Sequence, residues 1–258
     1  RIYYFLEMVI TSLLRTTPRS LLIAALLSGS SNNSINLASA FAPFIRQSSS
    51  RSLASSSKLA SMSTPRVLVP IATGSEEIET TCITDTLTRF GAEVVIASVM
   101  PQLSEGAPLV CKMSRGINFL ADVHISECAV GTDNDNWDLI ALPGGMPGAE
   151  HLRDCTELID LLKKQKSSNK FFAAVCASPA VVLASHNLIA SDAASTCYPA
   201  SPFREKLLTV SEDSVVVTDN MITSQGPGTS LKFALVLGEL LFGKEKADEI
   251  AKQMLVER

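Results

Sequence analysis

The sequence predicts an α/β protein built around a mostly parallel β-sheet with helices on both faces. Short apolar, β-branched runs alternate along the chain with stretches whose apolar residues recur at helical spacing. Turns rich in Gly and Pro separate several of these segments, and alternating strands and helices are typical of parallel sheets. Because ligands bind at the carboxyl ends of the strands in such sheets, the turns that follow strands are the candidate sites.

The predicted elements follow one another in a regular order. Six runs are predicted as strands: 66–72, 93–99, 137–142, 170–175, 214–218 and 221–224. Helices are predicted at 76–90 with Gly91 closing the helix, at 156–166, from Pro179 to His186, at 230–242 with Thr229 or Ser230 as cap, and from about 244 to 255. Together these elements make one domain at 65–258.

The first 64 residues differ in composition from the rest. Residues 8–75 contain no Asp or Glu, the apolar run 21–27 is too short to span a bilayer, and 38–40 supply the small residues that a signal peptidase requires. A Ser-rich stretch with Arg and Lys follows, and its composition cannot form a packed core. We therefore expect residues 1–64 to be a disordered targeting presequence, with a signal peptide to about residue 40 and then a transit peptide.

This two-part presequence resembles those of algae whose plastids lie inside extra membranes. The resemblance implies a plastid stroma location, and no membrane association once the presequence is removed. A secretory signal followed by a disordered linker is the alternative, but the absence of acidic residues favours the plastid.

Composition excludes several classes of function. The chain of 258 residues has a formal net charge of -4 and no basic runs, so no nucleic-acid partner is expected. Its six cysteines form no C-x-x-C or His-rich cluster, which indicates neither a zinc site nor a disulfide framework. We expect reduced thiols and no metal. The cysteines are Cys82, Cys111, Cys128, Cys155, Cys176 and Cys197.

The turn after the first predicted strand carries three carboxyl groups. Glu76 and Glu77 are interpreted as acids that favour the start of a helix. Glu79 lies instead on the apolar side of that helix, near Cys82 and Ile83. A carboxyl group there is costly when ionised, so we expect Glu79 to stay protonated.

Two further turns follow central strands. In 142–149, Gly144 and Gly145 allow the backbone to approach a ligand and to point an N–H into a cleft. Cys176 lies between a strand and a helix, and helix N-terminal amides lower the pKa of a thiol in that position. From position alone, Cys176 is either a reactive thiol or inert packing.

Four motifs in this order carry a family resemblance: GSEEIET, LPGGMPGA, AAVCASPA and SQGPGTS. They are similar to those of the ThiJ/PfpI superfamily, in the branch of the Parkinsonism-associated protein and the bacterial ThiJ-like proteins. The similarity runs from about residue 66 to 255. It implies a flavodoxin-like three-layer sandwich that usually forms homodimers and needs no cofactor.

The resemblance also implies roles for individual residues. Cys176 matches the oxidation-prone nucleophile, and Glu79 matches the protonated carboxyl that binds the thiolate. The backbone N–H groups of Gly145 and Ala177 match oxyanion-type donors. The implied pocket also contains Gly144, Arg115, which resembles an arginine that approaches across the dimer contact, Tyr198 and Pro199.

Two departures from the family pattern limit its possible chemistry. Tyr198 stands before Pro199 where the animal members have a histidine, and Ala177 follows Cys176 where the protease-like branches have a histidine. Without that second histidine, a peptidase would have no general base beside Cys176, so a peptidase function is not expected. The remaining histidines are interpreted as structural: His124, His151 and His186.

Two functions are consistent with this site. One is a cofactor-independent glyoxalase or deglycase whose Cys176 thiolate attacks methylglyoxal, glyoxal or their early adducts with amines and thiols. The alternative is an oxidation-sensing redox chaperone that uses the same cysteine. Residue types alone do not separate the two.

Overall fold

A computed structural model describes residues 63–102 and 104–257 of the chain. The predictions made for residues 1–62, including the signal and transit peptides, lie outside the described residues and stay predictions. Within the described ranges, none of the helices is both long and apolar enough to cross a membrane.

The centre of the fold is a seven-stranded sheet. The described residues form nine strands: β1 (Arg66–Ile71), β2 (Glu93–Ser98), β3 (Val110–Lys112), β4 (Asn118–Leu120), β5 (Val123–His124), β6 (Leu139–Leu142), β7 (Phe171–Val175), β8 (Val215–Thr218) and β9 (Met221–Ser224). The sheet order is β5-β2-β1-β6-β7-β9-β8, and every pairing is parallel except that of β8 with β9. Strands β3 and β4 form a separate antiparallel hairpin. The strand order reverses direction between β1 and β6, where α/β sheets commonly bind ligands.

Helices cover both faces of this sheet. The described helices are α1 (Glu77–Phe90), α2 (Gly148–Asp154), α3 (Thr156–Ser167), α4 (Ser201–Arg204), α5 (Ser230–Phe242) and α6 (Lys244–Gln253). Apolar residues of α1 and α5 pack on one face, and those of α2 and α3 pack on the other. The predicted fold class, a flavodoxin-like three-layer sandwich, is confirmed.

The alternation of side chains along the strands explains the layers. In β1, Val67 and Val69 belong to the core beneath α1 and α5, whereas Leu68 belongs to the core beneath α3. All three side chains are fully buried. Because successive residues of a strand point to opposite faces, a continuous apolar run is what a strand covered on both sides requires.

The ends of α1 follow from its sequence. The Glu76 carboxylate caps the helix by accepting a hydrogen bond from the Glu79 N–H at 2.8 Å. Gly91 ends the helix with φ of 96°, a left-handed conformation that glycine adopts without steric cost. The predicted start and stop of this helix agree with the structure to within one residue.

Other segments differ from the prediction. The hairpin β3–β4, the strand β5 and the helix α4 were not predicted, because segments of two to four residues show almost no periodic pattern of their own. The predicted helix from Pro179 to His186 is a π-helix at Pro179–Leu183 followed by a 3-10 turn at Ala184–His186. The wider turn brings the Ala184 N–H to the carbonyl of Pro179, five residues earlier.

Candidate active site

Cys176 occupies a strained turn directly after β7. Its φ is 63°, in the left-handed region that residues other than glycine seldom adopt, at a cost of about 1–3 kcal/mol. Two backbone hydrogen bonds hold this conformation: the Cys176 N–H donates to Ser224 O at 3.0 Å, and Tyr198 N–H donates to Cys176 O at 2.8 Å. The neighbouring strand and loop therefore stabilise the turn that presents the partly exposed Cys176 at the carboxyl edge of the sheet.

Glu79 lies in the first turn of α1 with no solvent exposure. Its Oε2 accepts a hydrogen bond from the Gly144 N–H at 2.7 Å, whereas the buried Oε1 has no hydrogen-bond partner among the described residues. Burial raises the pKa of the Glu79 carboxyl to about 7, although the Gly144 N–H and the Cys176 thiol act in the opposite direction. The carboxyl can therefore gain or lose a proton near neutral pH, and Oε1 is available to carry it.

Gly144 lies where three parts of the site meet. A Cβ atom added to Gly144 would lie 2.6 Å from Cys176 Cβ, 2.9 Å from Ala177 N and 3.0 Å from Glu79 Oε2. These separations are shorter than normal van der Waals contacts, so only glycine fits between the cysteine and the carboxyl. The close approach predicted for this glycine pair is thus used to bring Glu79 and Cys176 together.

The three turns at the carboxyl ends of β1, β6 and β7 are locked to one another. The Glu76 N–H donates to Gly144 O at 3.0 Å, and the buried Ser178 hydroxyl donates to Pro143 O at 2.5 Å. Gly145, at φ of 85°, lies so close to the first turn that an added Cβ would collide with the carbonyl of Gly74. Each turn is therefore fixed by contacts to another turn as well as by its own strand.

The thiol and the carboxyl form one coupled pair. Burial and the neighbouring Glu79 carboxylate raise the pKa of Cys176 to about 12, against the N–H groups of Gly145 and Ala177, which lower it. When Glu79 is protonated, its charge no longer raises the thiol pKa, and its O–H can donate a hydrogen bond to the sulfur, which favours the thiolate. The thiolate therefore depends on a proton at Glu79, and the expectation that the helix terminus alone lowers the pKa does not hold.

A cavity of about 430 Å³ opens above the Cys176 side chain. Of the predicted pocket residues, Arg115 and Tyr198 line it, and Arg115 reaches it within its own chain. The lining residues are Glu76, Ser114, Arg115, Gly145, Met146, Cys176, Ala177, Tyr198, Phe203 and Pro227. The lining therefore combines polar and charged side chains with apolar and aromatic ones.

Two predicted pocket residues do not line this cavity. Gly144 is buried behind the thiol, where its N–H binds Glu79. Pro199 is exposed and lies outside the cavity, because the chain turns sharply after Tyr198, with the Ala200 N–H donating to Tyr198 O at 2.8 Å.

Several residues of the site were missed in the sequence. Met146 and Pro227 lie within motifs that were already singled out, so their motifs could have indicated them. Ser114 directly precedes the predicted pocket residue Arg115, so that segment could have indicated it too, whereas Phe203 comes from a segment without a recognisable motif. The interpretation of Glu77 as an ordinary helix-start acid was incomplete, because its buried carboxylate binds the segment that carries Arg115.

The three histidines lie outside the cavity of Cys176. His124 Nδ1 lies 2.8 Å from Ser126 Oγ, and His186 Nε2 lies 2.9 Å from the carbonyl of Arg153. His124 and His151 line a different cavity of about 390 Å³. In the part of the chain that the structure describes, no cluster of His, Cys, Asp or Glu is placed to hold a metal ion.

A family model described as the DJ-1/PfpI family matches residues 65–240, which include all three turns of the site. The chain belongs to the DJ-1/PfpI family. A solved structure of this family, oxidized DJ-1 of Toxoplasma gondii, is 43% identical, covers 76% of this chain and all of its own, and superposes with a TM-score of 0.69.

Curated members of the DJ-1/PfpI family are also similar to this chain in sequence. Protein DJ-1 homolog B of Arabidopsis thaliana is 42% identical over 193 residues, which are 75% of this chain but 42% of that protein. The chain thus spans less than half the length of this relative. The Caenorhabditis elegans protein named glutathione-independent glyoxalase DJR-1.2 is 34% identical over 180 residues, 70% of this chain and 90% of that protein.

Proposed function

We propose that the protein is a cofactor-independent glyoxalase that converts methylglyoxal and glyoxal into hydroxy acids, and that it also acts on their early adducts with amines and thiols. One observation supports this proposal above all others. A buried carboxyl whose pKa is about 7 contacts a cysteine thiol at the floor of an open cavity, and two backbone N–H groups point at the same sulfur. A family relative named as a glutathione-independent glyoxalase adds support.

In the proposed reaction Cys176 sulfur attacks the aldehyde carbon of methylglyoxal. The thiol proton passes to Glu79, and the new oxyanion accepts hydrogen bonds from the N–H groups of Gly145 and Ala177. Glu79 then returns that proton to the oxyanion, which gives the hemithioacetal and restores the Glu79 carboxylate. Glu79 then removes the hydrogen from the former aldehyde carbon as a proton, which gives an enediol(ate), and returns it to the neighbouring carbon. The hydroxyl proton moves from the first oxygen to the former ketone oxygen, which leaves a thioester of lactic acid. Water hydrolyses this thioester, releasing lactate and the thiol. No external oxidant or reductant is consumed.

The first experiment measures lactate formed from methylglyoxal by the purified chain without glutathione. We expect turnover by the native protein and none above the uncatalysed rate with Cys176→Ala, because the nucleophile is absent. The control is Cys155→Ala, which removes another partly buried thiol that lies outside this cavity. Equal rates in all three proteins would show that the cavity of Cys176 is not the active site.

A redox-controlled chaperone is the second candidate function. Cys176 is partly exposed, the N–H groups beside its sulfur suit a sulfinate oxygen as well as an oxyanion, and one family structure is of an oxidized member. This function predicts no lactate from the native protein, together with protection of an aggregating client protein that changes when Cys176 is oxidised. Turnover that Cys176→Ala abolishes would favour the enzyme.

We also propose a homodimer that forms through an apolar surface beside the site. Ile78 and Ile117 are 54% and 56% exposed, and Val110 and Leu120, paired across the hairpin, are 51% and 63% exposed. Clustered exposed apolar side chains are typical of association surfaces.

The compartment that we propose is the plastid, on the residue pattern of 1–64. Import of a reporter protein fused to that segment tests this proposal.

The dimer is tested by light scattering. We expect Leu120→Asp to shift the native mass from dimer to monomer, because a carboxylate buried in an apolar interface is strongly unfavourable. Leu208→Asp is the matched control, since Leu208 is 78% exposed and lies far along the chain from the hairpin. A monomeric native protein, or a dimer that survives Leu120→Asp, would contradict the proposed surface.

A further inference from the structure

We propose that Arg115 forms a carboxylate-binding subsite in the cavity of Cys176 and that the buried Glu77 is the positioning residue that holds it there. The inference deepens the proposed function, since a small carboxylate is the product of the proposed reaction. It does not depend on turnover, because the same subsite would act on any anion that enters the cavity.

Glu77 anchors the turn between β3 and β4. Its carboxylate, on a residue only 4% exposed, accepts hydrogen bonds from the Ser114 hydroxyl at 2.9 Å, the Arg115 N–H at 2.5 Å and the Ile117 N–H at 3.4 Å. Burial alone would raise the pKa of Glu77, but these hydrogen bonds and that of its own N–H lower it below the ordinary value. The carboxylate is therefore ionised, and it binds three consecutive parts of one turn.

Backbone hydrogen bonds add to this anchor. The Gly74 N–H donates to Lys112 O at 2.8 Å, and the Ser114 N–H donates to Ser75 O at 2.8 Å. The hairpin turn is thus attached to the same turn after β1 that leads into Glu79. A substitution that removes the Glu77 carboxylate would therefore loosen residues 114–117, which it binds, while these two backbone bonds still hold the hairpin to the turn after β1.

The guanidinium of Arg115 retains most of its hydrogen-bonding capacity. Its Nη1 donates to the Ser114 carbonyl at 3.3 Å, and it makes no ion pair among the described residues. Its charge nevertheless acts on Glu79, lowering the pKa of that carboxyl. A cation that faces the cavity with donors to spare fits the planar, two-oxygen geometry of a carboxylate.

Three carboxyl groups lie near this cation, and none of them forms an ion pair with Arg115 among the described residues. The Glu77 carboxylate accepts hydrogen bonds from the Ser114 hydroxyl and from two backbone N–H groups. Glu76 also lines the cavity, but its Oε2 is bound to the Glu79 N–H as the cap of α1. Glu79 is neutral when the sulfur is a thiolate. The Arg115 side of the cavity is therefore the side that favours an anion.

Two consequences follow for ligands. Aldehydes and dicarbonyls that carry a carboxylate would be oriented with that group on Arg115 and the aldehyde carbon towards Cys176. Lactate and glycolate, the products of the proposed reaction, would be retained in the same way and would compete with substrate. A neutral molecule of the same shape would gain nothing from Arg115.

The test compares two alkylating reagents of nearly equal size, anionic iodoacetate and neutral iodoacetamide. In both reactions the Cys176 sulfur displaces iodide, so the ratio of their rate constants reports how the cavity treats a carboxylate and cancels the thiolate fraction. Modification of Cys176 is quantified by peptide mass spectrometry in the full chain, since other cysteines are present. We expect the ratio to fall about two- to fivefold in Arg115→Met, the effect of one partly exposed charge pair.

Glu77→Gln separates positioning from simple electrostatics. Removing a negative charge would by itself raise the iodoacetate ratio, whereas loss of the anchor lowers it because Arg115 is no longer held at the cavity. We expect the ratio of the iodoacetate to the iodoacetamide rate constant to fall in Glu77→Gln. Arg89→Met, which removes an exposed arginine at the other end of α1, should leave the ratio unchanged.

A second measurement uses the product itself. Lactate should slow iodoacetamide labelling of Cys176 in the native protein more than lactamide at equal concentration does, and this difference should disappear in Arg115→Met. An unchanged ratio in Arg115→Met, or equal protection by lactate and lactamide, would overturn the inference. Absence of dicarbonyl turnover alone would leave it standing and would instead overturn the glyoxalase.

Discussion

Glu79→Gln is expected to abolish lactate formation while leaving Cys176 reactive towards iodoacetamide. The glutamine amide can still donate a hydrogen bond to the sulfur, but it cannot accept the proton that the reaction moves between two carbons. Loss of a general acid–base group typically costs 10²- to 10⁴-fold in rate, so kcat/KM should fall by at least about 100-fold. Labelling of Cys176, measured by mass spectrometry below pH 7, where the native Glu79 is also neutral, should change by less than about threefold, because the amide preserves the neutral form of the pair.

The pH dependence of lactate formation by the native protein gives the matching control. Because burial raises the pKa of Glu79 to about 7, the pair of Glu79 and Cys176 holds two protons below that pH and one above it. Only the form with one proton can supply both the nucleophile and the proton carrier, so kcat/KM should rise through about pH 7 and then level off. Turnover by Glu79→Gln at the native rate would show that another group moves the proton.

Gly144→Ala is expected to damage both stability and catalysis. The added methyl group would lie 2.6 Å from Cys176 Cβ and 2.9 Å from Ala177 N, and neither atom can move without displacing the turn that carries the nucleophile. Overpacking of this kind costs about 1–3 kcal/mol in the free energy of unfolding. Misplacement of reacting groups by about 1 Å can cost 100-fold in rate, so turnover should fall by about that factor.

Gly228→Ala is the control for this substitution. Gly228 lies in the loop before α5, has no positive φ, and an added Cβ there would meet nothing within 4 Å. Thermal unfolding followed by circular dichroism and lactate formation should both be close to native in Gly228→Ala. A Gly144→Ala protein as stable and as active as this control would mean that the turns do not hold the separation between Glu79 and Cys176.

The long elements and the three site turns could be predicted from sequence because their signals are local. Helical spacing placed Glu79 on the side of Cys82 and Ile83, and the structure buries it there. The continuous apolar run before Cys176 predicted a strand buried on both faces, followed by a turn. These properties depend on residues within one or two helical turns of each other.

The unpredicted features depend on contacts between distant segments. The hydrogen bonds of Glu77 reach residues 37 to 40 positions away. The residues next to Glu77 in the sequence therefore indicate only an acid at the start of a helix. The thiol pKa likewise could not be inferred from the helix terminus, since burial and Glu79 dominate it. Hairpin strands of three residues carry too little periodicity to be distinguished from loop.

The locking of the three turns to one another has a consequence for local opening. The backbone N–H of Cys176 is hydrogen-bonded to β9, and that of Glu76 is hydrogen-bonded to the turn after β6. The Ser178 hydroxyl joins the turn after β6 to the turn after β7. No one of these segments can detach while the others stay in place, so the site belongs to the same cooperative unit as the central sheet. Its amide hydrogens should exchange with solvent as slowly as those of β6 and β7, and heat should inactivate the site only when it unfolds the domain.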